Sequence, residues 1–111
     1  MDLSAETRGD ILVVHANQER IDAAVAIQFK EKMREFAQAT SPRVILDMSK
    51  VAFLDSSGLG AVVAIMKLLG PERKLELSGL TATVQKVFRL TRMDSIFIIH
   101  ATLPDGLLDA G

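Results

Sequence analysis

Cysteine, tryptophan and tyrosine are absent from this 111-residue chain. Without cysteine there is no disulfide framework, no thiolate metal site and no cysteine redox chemistry. Without tryptophan or tyrosine, stacking platforms for single-stranded nucleic acid could only be built from the five phenylalanines. An excess of charge is also missing: 13 Lys and Arg stand against 14 Asp and Glu. A general nucleic-acid binder needs surplus cations to neutralise phosphates, so the balance argues against that class and against direct nucleic-acid contact. No apolar run approaches the roughly 18 residues of a membrane span. The opening Met1-Asp2-Leu3-Ser4-Ala5-Glu6 has neither the basic nor the apolar stretch of a secretory leader. Together these absences point to a cytoplasmic protein. The length suits one domain over residues 1–111, and a 49% hydrophobic content is enough to give it a core.

What the chain does have is an alternation of strand and helix signals. Residues 1–8 read as a short edge strand, turned at Arg8-Gly9-Asp10 into a continuous apolar strand at residues 11–14. Residues 17–22 are a polar loop. Asp22 is placed to cap a helix from Ala23, whose stripe is Ala26, Phe29, Met33, Phe36 and Ala37. Ser41-Pro42 ends that helix. A buried strand follows at residues 44–48, with Asp47 expected at the open end of the sheet. A second helix is predicted over residues 56–69, ended by Gly70-Pro71. Leu75-Glu76-Leu77 reads as a strand, and Thr81 can cap a third helix with Val84, Val87 and Phe88 inward. Residues 96–99 read as the last strand and residues 104–108 as a terminal helical turn. The order predicts an α/β domain with a mainly parallel, mixed sheet of four to five strands and about four helices.

The most informative stretch is Asp55-Ser56-Ser57-Gly58-Leu59-Gly60. Asp55 and Ser56 are both good N-cap residues for the helix that follows. Glycines at 58 and 60 cost roughly 1 kcal/mol each against alanine in a helix. Another backbone, or a partner, approaching closely would account for them. The helix itself is apolar nearly all round. Leu59, Val62, Val63, Met66 and Leu69 make its main stripe, while Ala61, Ala64, Ile65 and Leu68 lie off it, and Lys67 is its only charge. Such a helix is either deeply buried or covered by a partner. In the second case Ile65 and Leu68 would be apolar anchors.

An enzyme finds little support. Gly58-Leu59-Gly60 lacks the third glycine of a dinucleotide fingerprint, and there is no Gly-Lys-Ser/Thr phosphate loop. Leu54-Asp55-Ser56-Ser57-Gly58 lacks the leading glycine of a nucleophile elbow. His15 and His100 are the only candidates for a serine triad, and no His, Asp or Glu cluster has metal-ligand spacing. No cofactor is implied.

The block Asp55 to Gly60, preceded by Val44-Ile45-Leu46-Asp47-Met48-Ser49, resembles the signature of STAS-domain proteins, above all the single-domain anti-sigma factor antagonists of bacteria. The resemblance covers most of the chain. It implies that the first serine after the aspartate, Ser56, is a phosphorylation site, with Ser57 the lesser candidate. It implies partner contact through Asp22, Asp55, Ser56, Ser57, Gly58, Leu59 and Gly60. The partner implied is an anti-sigma factor that is also a serine kinase of the histidine-kinase-like ATPase fold. Unmodified protein would bind it and free a sigma factor; phosphorylation would release it, and a PP2C-type, metal-dependent serine phosphatase would reset the switch. The alternative within the resemblance is an interaction module of a lipid-transport, stressosome-like or other complex without a sigma factor.

Overall fold

The computed structural model describes residues 2–103. Its elements run β1 (Leu3–Arg8), β2 (Ile11–Ala16), β3 (Arg20–Ile21), α1 (Ala26–Phe36), β4 (Arg43–Asp47), β5 (Phe53–Leu54), α2 (Ser56–Leu69), β6 (Lys74–Ser78), α3 (Ala82–Leu90), a single 3-10 turn (Met93–Ser95) and β7 (Ile98–His100). Five strands form the main sheet in the order β1-β2-β4-β6-β7. Only β1 is antiparallel. It is joined to β2 by a two-residue reversal, and Gly9 supplies the left-handed conformation (φ 62°) that so tight a turn requires.

The alternation of side chains along the strands divides the sheet into two faces. Leu12, Val14, Val44, Leu46, Leu75 and Leu77 meet Phe29 and Met33 of α1, Val62 of α2, and Val84 and Phe88 of α3 in one core. Ile11, Val13 and Ile45 make a smaller cluster with Leu103. Polar groups sharing the smaller cluster's face pair with one another. Buried Glu76 accepts from Arg43 Nε and a terminal guanidinium nitrogen, at 2.7 and 2.8 Å, and lies 2.8 Å from His100 Nε2. Arg43 is the main reason its carboxyl is held below the usual glutamate range. His15 lies between Asp47 (2.8 Å) and Glu6 (3.3 Å). Past α1, Arg73 donates to the carbonyls of Ala37, Ala39 and Ser41 at 2.8, 2.8 and 2.9 Å, satisfying acceptors that a helix end leaves open.

Three expectations shift. The first helix begins at Ala26 rather than Ala23, because Asp22 organises a turn ahead of it: Asp22 Oδ1 accepts from Ala24 N–H at 3.1 Å, and its carbonyl accepts from Val25 and Ala26. The last strand begins at Ile98, since the 3-10 turn occupies the preceding segment and Phe97 is drawn inward against Phe88, ring centres 5.8 Å apart. Thr81 holds the N-cap position of α3, but its hydroxyl donates to the Val51 carbonyl (2.8 Å) instead of capping. The described residues hold three α-helices; the helical turn predicted at residues 104–108 lies outside them. Among the described residues no helix is long and apolar enough to cross a membrane.

Candidate functional site

At the carboxyl end of the parallel strands, the polar loop after β2 and the segment before α2 are stitched together. Arg20 and Ile21 pair in parallel with Phe53 and Leu54, a two-stranded sheet of its own. Glu19 O accepts from both Ala52 and Phe53 N–H, at 2.7 and 3.2 Å. The Arg20 guanidinium lies 4.2 Å from the Phe53 ring centre and 3.3 Å from Asp22 Oδ2. Two-residue strands are too short to announce themselves by alternation, and the sequence here reads as a polar loop.

Asp55 completes the seam. Its backbone is extended (φ −99°, ψ −175°), as an N-cap requires. One carboxylate oxygen accepts from Gly58 N–H at 2.8 Å, and the other accepts from Ala23 N–H at 3.1 Å. A single side chain therefore caps α2 and holds the 20–25 loop against it. These N–H groups, Gly58 foremost, keep the Asp55 carboxyl below the usual aspartate range.

The two glycines have different reasons. A Cβ on Gly58 would stand 2.0 Å from the Ile21 carbonyl oxygen, so the close neighbour is the chain's own backbone. A Cβ on Gly60 would meet nothing within 4 Å among the described residues. Gly58 thus sets how α2 is turned about its axis: Gly58, Leu59, Ala61, Val62, Ile65 and Leu69 face inward and are buried. This corrects the reading of Ile65 as an outer anchor, since it is only 3% exposed and lies in the main core. Val63 and Met66, assigned to the buried stripe, are only half-buried. On a helix apolar on most sides, composition says little about which side faces in; backbone contact at Gly58 decides it.

Asp22, half-buried, and Ser56 and Ser57, both exposed, therefore share one end of the domain with Asp55 and exposed Gly60. Leu59 is buried beneath them. Leu68 is exposed, as expected of an anchor, but sits twelve residues along α2 from Ser56, roughly 18 Å at 1.5 Å per residue. His15 and His100 bond carboxylates, and neither bonds a serine hydroxyl among the described residues.

A family model for the STAS domain matches residues 2–106. The chain belongs to the STAS domain family. Solved structures carry the same fold. An anti-sigma factor antagonist from Mycobacterium paratuberculosis is 25% identical, with 98% of this chain and 93% of that one covered and a TM-score of 0.83. A STAS-domain anti-sigma-factor antagonist protein from Planctomyces limnophilus is 18% identical, with 99% and 98% covered and a TM-score of 0.87, a likeness of fold alone. SpoIIAA, an anti-sigma factor antagonist, was solved unphosphorylated (25% identical, 92% and 90% covered, TM-score 0.72) and, from Bacillus, phosphorylated (22%, 99% and 100%, 0.69). This STAS domain thus has anti-sigma factor antagonists among its structural relatives.

Proposed function

We propose that this STAS domain is an anti-sigma factor antagonist switched by phosphorylation of Ser56. In its unmodified form it binds an anti-sigma factor serine kinase and so frees a sigma factor. The kinase transfers the γ-phosphoryl group of ATP to the Ser56 hydroxyl and lets go; a PP2C-type phosphatase hydrolyses the phosphoserine and restores binding. The chain is the substrate and not the catalyst.

The observation that carries this reading is the exposed Ser56 hydroxyl on the first residue of α2, on a turn fastened from behind by Asp55 and Gly58. A phosphoserine adds about −1.5 to −2 charges. At a helix N-terminus the dipole favours that charge, so the fold tolerates it. Its cost falls on whatever docks there. A partner must bury a bulky dianion beside the Asp55 and Asp22 carboxylates, and like-charge juxtaposition in an interface costs several kcal/mol. The backbone approach at Gly58 supports a mechanism of steric and electrostatic exclusion, because a turn so tightly held has little room to refold.

Incubation with ATP and the purified anti-sigma factor kinases of the source cell tests the proposal. The expected result is an intact-mass increase of one phosphoryl group, lost in Ser56→Ala and retained in Ser57→Ala. No incorporation with any such kinase, or incorporation that survives Ser56→Ala, contradicts it.

A further inference from the structure

Gly60 remains without an internal reason. It lies in the first turn of α2, is exposed, and has open space where its Cβ would be. That space belongs to a groove of about 440 Å³ that begins at Ser56, runs past Gly60 and Ala64 to Lys67, and has Thr91 and Met93 as its opposite bank. From Ser56 to Lys67 the groove follows α2 for eleven residues, roughly 16 Å. The far bank is fixed in place: the Thr91 hydroxyl donates to Val87 O at 2.7 Å, and Met93 opens the 3-10 turn. Met93 offers an adaptable apolar surface, half-buried and facing the groove.

The groove's charge is one-sided. Among the described residues Lys67 is the only charged side chain lining it, and it is the only charge on α2; it is exposed and has no ion pair among those residues. Exposed Arg92 and exposed Asp94 flank Met93 in the chain; neither lines the groove and their charges offset, so Lys67 sets its sign. In a protein of net charge −1 this is a local basic site beside an apolar channel.

We propose that this groove seats an amphipathic helical segment of the partner, with apolar residues at i and i+3 or i+4 over Gly60 and Ala64 and a carboxylate paired with Lys67. The proposal rests on the functional reading above, in that the partner is the kinase that modifies Ser56. It adds which face the kinase uses and the chemistry of the segment it brings. It also gives the switch a second handle: phosphate on Ser56 blocks the same channel at its open end and repels the acidic segment lying in it.

The test uses the purified kinase that phosphorylates Ser56, with binding measured by calorimetry against the full chain. Gly60→Leu fills the channel, and Lys67→Glu reverses its charge; Lys32→Glu, an exposed cation on α1 away from the groove, is the control. Circular dichroism establishes that each variant is folded. The expected outcome is affinity lowered about tenfold or more by Gly60→Leu and by Lys67→Glu but changed less than about twofold by Lys32→Glu. An acidic-to-lysine change in the kinase should restore binding to the Lys67→Glu variant. Folded Gly60→Leu and Lys67→Glu proteins that bind like wild type overturn the groove assignment, while continued phosphorylation of Ser56 would leave the functional reading standing. A failure of every kinase to modify Ser56 removes both.

Discussion

The inner and outer faces of the first turn of α2 are built on opposite plans. Inward, Gly58 lets the helix backbone close on the Ile21 carbonyl, and Asp55 bonds the N–H groups of both Gly58 and Ala23. Outward, Ser56, Ser57 and Gly60 are exposed, and no described residue occupies the space beside Gly60. Two glycines two residues apart thus serve contrary ends, one removing a side chain so that the protein can close, the other so that a surface stays open. The proposed switch at Ser56 would benefit from that arrangement: its chemistry would sit on the open side, and the closed side would keep it from disturbing the fold.

Substitutions on the two faces should therefore behave differently. Gly58→Val should have the largest effect, since a side chain overlapping the Ile21 carbonyl must push the 20–25 loop off α2; we expect a loss of about 3 kcal/mol or more in urea denaturation. A folded variant of wild-type stability would show that the inner face is not closed as described. Asp55→Ala should cost about 1–2 kcal/mol by the same measurement, as the loss of a cap that serves two segments. A loss near zero would mean that the seam holds without it.

Acid should act on the seam in the same direction. Folding holds the Asp55 carboxyl below the ordinary aspartate value of about 3.8 through the N–H groups of Gly58 and Ala23. The contribution of this depressed group is complete above that value and fades as pH falls through the lower folded one. In an NMR titration the amide resonances of Gly58 and Ala23 should move together, with one midpoint below about 3.8; separate midpoints would break the bridge. The smallest effect belongs outside. Gly60→Ala should leave stability unchanged or raise it by up to about 1 kcal/mol, because nothing is displaced and a helix interior prefers alanine. A marked loss would show that Gly60 has an internal neighbour after all.

The order of strands and helices, the stop at Gly70-Pro71 and the cap at Asp55 were legible in the sequence because each rests on local chemistry: period, proline and glycine, a carboxylate beside free N–H groups. The reading failed where the deciding contact is distant in the chain. Ile65 looked like an outer anchor because α2 is apolar nearly all round, and only the approach of Gly58 to Ile21, 37 positions earlier, turns it inward. Asp22 was read as a helix cap; it caps a turn ahead of the helix, and its loop is held by residues 53–55 rather than by its own propensity. The Arg20 contact with Phe53 left no mark in the sequence, since neither residue type is unusual in a loop. Leu68 was placed outside correctly, though it proves remote from the serine turn.

Central to the proposed switch is that a phosphoryl group on Ser56 would change what the surface accepts and leave the domain as it was. Calorimetry of the kinase against unmodified and fully Ser56-phosphorylated protein, with an amide NMR spectrum of each form, tests that most directly. The account predicts an affinity reduced by about a hundredfold, several kcal/mol of like-charge cost being partly relieved by solvent, with shift changes confined to the 20–25 loop and the first turns of α2. Equal affinity of the two forms, or spectral change spread through the core, would contradict it.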